Sequence, residues 1–142
     1  NDPWFKELEK FEDIIFPGFI DAPKIQALMK ISEIGLLPYK PSLDFNSSIP
    51  NKVIEYFSAS IPVLTPIEGY LKELLSKKKC GLFYQNGNVE SLLETLKGIS
   101  KHPGGLKKMG MNAKCFYDKE LDTKIVFRNY ETHLKRVVEN YE

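Results

Sequence analysis

Apolar residues fall along the chain in two alternating rhythms. Short runs rich in apolar residues occur at Ile14-Ile15-Phe16, Glu33-Ile34-Gly35-Leu36-Leu37, Pro62-Val63-Leu64-Thr65 and Gly81-Leu82-Phe83-Tyr84. Their length and composition suit strands buried on both faces of a parallel sheet. Between them, apolar positions recur every three or four residues, as on one side of a helix. Such sets are Trp4, Leu8 and Phe11; Ile25, Leu28 and Met29; Val53, Ile54 and Phe57; Leu71, Leu74 and Leu75; and Leu92, Leu93, Leu96 and Ile99. After the break at His102-Pro103-Gly104-Gly105, two further helical stretches carry Leu106, Met109 and Phe116, then Phe127, Tyr130, Leu134 and Val138. Asp2, Asp21 and Asn88 are the predicted caps, with Pro3 and Pro23 in first turns. Residues 38–45 read as a loop whose Tyr39, Lys40 and Asp44 are within reach of a ligand without being required by one. Strands alternating with helices predict an α/β fold, a parallel sheet covered on both faces.

One stretch organises the rest: Ser47-Ser48-Ile49-Pro50-Asn51-Lys52-Val53-Ile54-Glu55-Tyr56-Phe57. Pro50 suits a first helical position, and Ser47 or Ser48 can supply the capping oxygen. Val53, Ile54 and Phe57 then face inward, while Lys52 and Glu55, three apart, share another side. A helix start attracts anions. A carboxylate one turn further in repels phosphate but accepts hydrogen bonds from sugar hydroxyls. The plain alternative is a solvated ion pair worth a few tenths of a kcal/mol. Both Gly18–Ile20 and Ser47–Asn51 follow a predicted strand, on the edge where parallel sheets bind ligands.

Composition narrows the partners. With 20 Lys and Arg against 19 Asp and Glu in 142 residues, the net charge of +1 makes no electrostatic case for nucleic acid or anionic membrane. No apolar run approaches a membrane span. Cys80, Cys115, His102 and His133 lack metal-ligand spacing, so no metal is expected. Few cysteines fit a reducing cytoplasm. The chain opens at Asn1 without Met and reads as a piece of something longer.

Pro50-Asn51-Lys52-x-x-Glu55-Tyr56 followed by Ile61-Pro62-Val63 resembles the signature of retaining, nucleotide-sugar-dependent group 1 glycosyltransferases of the two-domain GT-B architecture. Phe16-Pro17-Gly18-Phe19, Ile34-Gly35-Leu36-Leu37-Pro38 and Cys80-Gly81-Leu82-Phe83 match the family's flanking strands in order and spacing. The resemblance implies a Rossmann-like domain that binds a nucleoside-diphosphate sugar as co-substrate, without metal. It implies hexosyl transfer to a saccharide, lipid-linked or similar acceptor, as in polysaccharide biosynthesis. By the same resemblance Glu55 holds ribose hydroxyls, and N–H groups around Ser47, Ser48, Ile49 and Asn51 receive the diphosphate, with Lys52 nearby. Gly18, Phe19 and Ile20 lie near the nucleobase, although Phe19 reads equally well as a core aromatic.

Two positions depart from the family pattern. The helix glutamate is normally paired with another eight residues upstream, where this chain has Ser47. The helix normally ends on glycine, where this chain has Ser60; a left-handed serine costs roughly 1 kcal/mol, so a differently built exit is expected.

Six strands in the order 3-2-1-4-5-6 characterise the family's donor domain. The four runs here correspond to its third to sixth, so the first two strands and the N-terminal acceptor-binding domain are expected to lie outside this chain. The run at Ile14–Phe16 then loses its neighbour. It is expected either to pair abnormally, by rearrangement or self-association, or to stand outside a three-strand sheet. A piece with one wall of the cleft is expected to be inactive alone. The competing reading is a non-catalytic flavodoxin-like signalling or interaction domain. A dinucleotide-dependent dehydrogenase is disfavoured, since no G-x-G-x-x-G follows a strand.

Overall fold

A computed structural model of the chain describes residues 3–40 and 42–140, with Trp4 as backbone only. Two compact units are present, Asn1–Lys30 and Ile31–Glu142. The expected cap Asp2 lies outside the described residues.

The first unit holds α1 (Pro3–Leu8) and all but the last residue of α2 (Ala22–Ile31), joined by irregular chain. Asp21 caps α2 as expected, its Oδ1 accepting the Lys24 N–H at 3.2 Å. Along α2, Ile25 and Met29 are half-buried, whereas Leu28 is exposed. The expected strand at Ile14–Phe16 is not formed, and Ile15 is 83% exposed. A strand needs a neighbour to take up its backbone N–H and C=O groups, and no described strand pairs with this run. The Phe16 ring instead meets Phe5, with centroids 4.4 Å apart.

The second unit is the α/β body. Its strands are β1 (Gly35–Leu36), β2 (Val63–Thr65) and β3 (Gly81–Phe83). They pair in parallel in the order β1-β2-β3, with Gly35 opposite Val63 and Val63 opposite Gly81. A three-stranded parallel sheet flanked by helices is thus the Rossmann-like α/β arrangement expected, without the strand at Ile14–Phe16. All seven residues from Ile61 to Ile67 are buried, which is why the central strand has no polar face.

The helices are α3 (Leu43–Asn46), α4 (Asn51–Ser58), α5 (Tyr70–Lys78), α6 (Val89–Lys101), α7 (Pro103–Phe116) and α8 (Thr123–Glu139), with a wide π-type turn over Tyr117–Leu121. The single turn α3 lies in the stretch expected as loop; Ser42 caps it, accepting the Phe45 N–H at 3.2 Å. Val53 and Phe57 of α4 enter the core with Leu71, Leu75, Ala113 and Phe116. Asn88 caps α6 as expected, 2.9 Å from the Ser91 N–H. Yet α6 contributes no fully buried residue, and every residue of α8 beyond Ile125 is exposed. No helix among the described residues is long and apolar enough to cross a membrane.

The exit of α4 follows the glycine pattern despite its serine. Ser60 is left-handed, with φ of 63°. Its N–H reaches the Phe57 carbonyl at 3.1 Å, and the Ile61 N–H reaches Tyr56 at 2.9 Å. These are the two bonds of a Schellman motif. The expectation of a different exit is therefore corrected: bonds and the buried Ile61 offset the strained φ.

Candidate functional site

The carboxyl end of β1 delivers Leu37 to a loop that returns through α3 to the start of α4. Thr65 pins this end of the sheet. Its buried hydroxyl donates to the Leu37 carbonyl at 2.9 Å and accepts the Ile67 N–H at 3.2 Å.

An open cleft of about 550 Å³ lies here, lined by Tyr39, Phe45, Ser48, Ile49, Pro50, Asn51, Lys52 and Glu55. Five of the nine residues expected to form a site are thereby brought together: Ser48, Ile49, Asn51, Lys52 and Glu55. Ser47 does not line the cleft. Gly18, Phe19 and Ile20 belong to the other unit. There Gly18 adopts φ of 67°, and Phe19 is fully exposed, which overturns its reading as a core aromatic.

The helix entry differs from expectation in two ways. Pro50 is the cap residue itself, with φ of −58° and ψ of 141°, so α4 starts one residue later at Asn51. The serines do not cap it. Ser47 Oγ donates to the Leu43 carbonyl at 2.8 Å and Ser48 Oγ to Asp44 at 2.7 Å. The carbonyls of α3 four residues back are within reach of these hydroxyls, the Leu43 oxygen also accepting the Ser47 N–H at 3.2 Å, and serine hydroxyls bond back to such groups readily. No side chain takes the first N–H groups of α4, which face outward from the helix start.

Glu55 Oε2 accepts a 2.7 Å hydrogen bond from Lys52 Nζ, with both side chains close to half exposed. That bond is the main reason the Lys52 ammonium is held above its ordinary pKa, partly opposed by desolvation. The pair is the one expected from spacing; solvent keeps its worth to stability small. Its chemical content lies elsewhere. A carboxylate already fixed by one ammonium still offers lone pairs to hydroxyl donors. Behind it the Tyr56 phenol, half-buried, is pushed up by desolvation. Tyr39 and Phe45 also line the cleft, ring centroids 5.0 Å apart. Sequence reasoning had Tyr39 in reach of a ligand but missed Phe45; the signal was the cap Ser42, which turns 43–46 back toward the cleft.

Among the described residues no group of three His, Cys, Asp or Glu side chains could hold a metal. A second cavity of about 340 Å³, between α6 and α7, is lined mainly by apolar groups such as Leu82, Ile99 and Met109. It lacks the polar set of the first.

Residues 3–116 match the family model described as glycosyl transferases group 1. A segment of 64 residues is 31% identical to the Bacillus subtilis (strain 168) protein named "Putative teichuronic acid biosynthesis glycosyltransferase TuaH", covering 45% of this chain and 16% of that relative. No solved structure gives a significant match. With four-fifths of its length matched, and the signature helix lining the cleft, the chain belongs to the group 1 glycosyltransferases.

Proposed function

We propose that the cleft at the start of α4 is the donor site of a glycosyltransferase and binds a nucleoside-diphosphate sugar. The observation that carries this is the convergence of Glu55, Lys52 and the free first turn of α4 in one opening of about 550 Å³, a size suited to a small-molecule ligand. The diphosphate rests against the N–H groups at Asn51 and Lys52, where the helix dipole favours anions. Ser48 and Ile49 line the approach. Glu55 accepts the vicinal ribose hydroxyls through oxygen lone pairs that Lys52 leaves open. In transfer, the same helix start stabilises negative charge growing on the leaving diphosphate.

The sugar passes to a saccharide, lipid-linked or similar acceptor, consistent with the teichuronic acid biosynthesis in the name of the Bacillus relative. The matched segment covers about one sixth of that relative. In this reading acceptor binding falls to a domain outside this chain, and the chain alone does not turn over, because alignment of two reactants needs both walls. Family membership sets aside the flavodoxin-like alternative.

Calorimetric titration of a nucleoside diphosphate into wild type and Glu55→Ala tests the site. Losing two charge-assisted bonds weakens binding by about 1.5–3 kcal/mol, roughly tenfold to a hundredfold. A 2′,3′-dideoxy nucleotide binds both proteins equally weakly. Equal affinity of the ordinary nucleotide for both would return Glu55 to the role of a surface charge.

A further inference from the structure

Gly98 lies inside α6, where glycine is a poor helix former. The backbone does not ask for it, since its φ is not positive. Neither does packing: a Cβ built there would meet nothing within 4 Å. Gly105, in the first turn of α7, is alike in both respects. Both glycines line the one cavity between the two helices. What their missing side chains leave is space.

That space amounts to about 340 Å³, and an apolar cavity of roughly 150 Å³ already stays dry and takes up benzene. Leu82, Ile99, Leu106 and Met109 give it an aliphatic wall. Thr95 also lines it, but the threonine hydroxyl is spent on its own helix, donating to the Ser91 carbonyl at 2.8 Å. Water therefore finds little in the wall to hold it.

The shape and the wall indicate the occupant. The α6 positions that face the cavity run from Thr95 to His102, two turns or about 10 Å of helix. A peptide segment fits poorly, because its backbone N–H and C=O groups would be buried without partners. A hydrocarbon chain has no such groups, and each methylene gains by leaving water. His102, where α6 meets α7, lines one end and is exposed, so the cavity opens there. No described residue bonds its imidazole, which is free to meet a polar head.

We propose that this cavity binds a single alkyl chain of an amphiphile, with the polar head at His102. It shares no lining residue with the cleft at α4 and does not depend on how that cleft is read.

Decanol titrated into wild type, Gly98→Ala and Gly98→Leu tests the site, read by the methyl signals of Leu82, Ile99, Leu106 and Met109 and by the thermal midpoint. Wild type is expected to bind saturably, to shift those methyls and to melt higher with the ligand present. Alanine and leucine suit a helix better than glycine and fill the space in steps. Affinity should fall in that order, by roughly tenfold or more for Gly98→Leu. Should Gly98→Leu not fold, Gly105→Leu closes the same cavity from α7 and carries the same expectation. Absence of saturable binding overturns the proposal. So does binding that no glycine substitution weakens, which would put decanol on the exposed apolar side chains of α8. A wild-type dimer that Gly98→Leu disrupts and decanol leaves intact would give the cavity to a second copy, and overturns it too. Vesicles of phosphatidylcholine identify the source of the chain: competition with decanol in wild type names a membrane lipid, and no competition names a free amphiphile.

Discussion

Tyr56 of α4 lies against Gly35 of β1 so closely that a Cβ built on the glycine would stand 2.5 Å from Cδ2 and 2.8 Å from Cγ of the ring. Cγ is near the root of the side chain and cannot swing clear. The absent side chain at Gly35 thus sets the distance between the first strand and the helix that carries Glu55 and Lys52.

Gly35→Ala should therefore lower stability by about 1–3 kcal/mol, the usual cost of forcing extra volume into a packed site. It should also weaken nucleotide binding, because α4 moves as a body. Chemical denaturation and titration of the same variant check both. Unchanged stability would mean that the ring yields freely.

Thr65 supplies a second check on the site's support. Thr65→Val keeps the shape but strands the Leu37 carbonyl and the Ile67 N–H. Leaving buried groups unpaired costs about 1–3 kcal/mol. Thr65→Ser, which retains the hydroxyl, should lose less; denaturation midpoints of the two variants distinguish hydrogen bonding from packing.

At the other end of α4, Ser60→Gly should raise stability by about 1 kcal/mol, since glycine carries no penalty at φ of 63°. Gly110→Ala should do the reverse. Its Cβ would collide with the Ser60 carbonyl oxygen, a backbone atom held by the Schellman turn. Thermal melts of the single variants would show opposite shifts.

The two cysteines should differ sharply in chemistry. Burial pushes the Cys80 thiol up to about 11, from an ordinary 9.0, so it stays a thiol where an unfolded chain begins to ionise. Folded protein holds that proton more tightly, and the contribution to stability is intact below pH 9 and lost as pH rises toward 11. Cys115 is exposed. Iodoacetamide at pH 8 is expected to modify Cys115 in the native protein and Cys80 only after denaturation, as read by mass spectrometry.

Sequence reasoning reached the parts of the fold whose causes are local. The buried run through Val63 and Leu64, and the stripe of Val53 and Phe57, announce their burial by composition and period. Ile14–Phe16 has the same composition and no strand, because composition cannot report whether a neighbour exists. The candidate site was legible as a segment, and the Lys52–Glu55 pairing its spacing suggested is formed. Ser47 and Ser48 misled because a hydroxyl can bond forward to a helix start or back to a carbonyl. The Tyr39–Phe45 contact was hidden because it depends on a turn of helix in residues that read as loop.

The exposure of α8 has a consequence for how the molecule comes apart. A helix of 17 residues spans about 25 Å, yet beyond Ile125 it rests on nothing buried and is held by its own bonds, such as the Glu131–Lys135 pair at 2.8 Å. The unsupported part, 126–139, falls within the length of about 12–15 residues at which isolated helices are marginal in water. Its amide protons should exchange with solvent far sooner than those of β2, and tryptic cleavage near Arg128 or Arg136 should precede any cut in the sheet. Unfolding followed by far-ultraviolet dichroism should thus show an early loss of helix while the environment of Phe57 and Phe116 is still intact, two cooperative units within one chain.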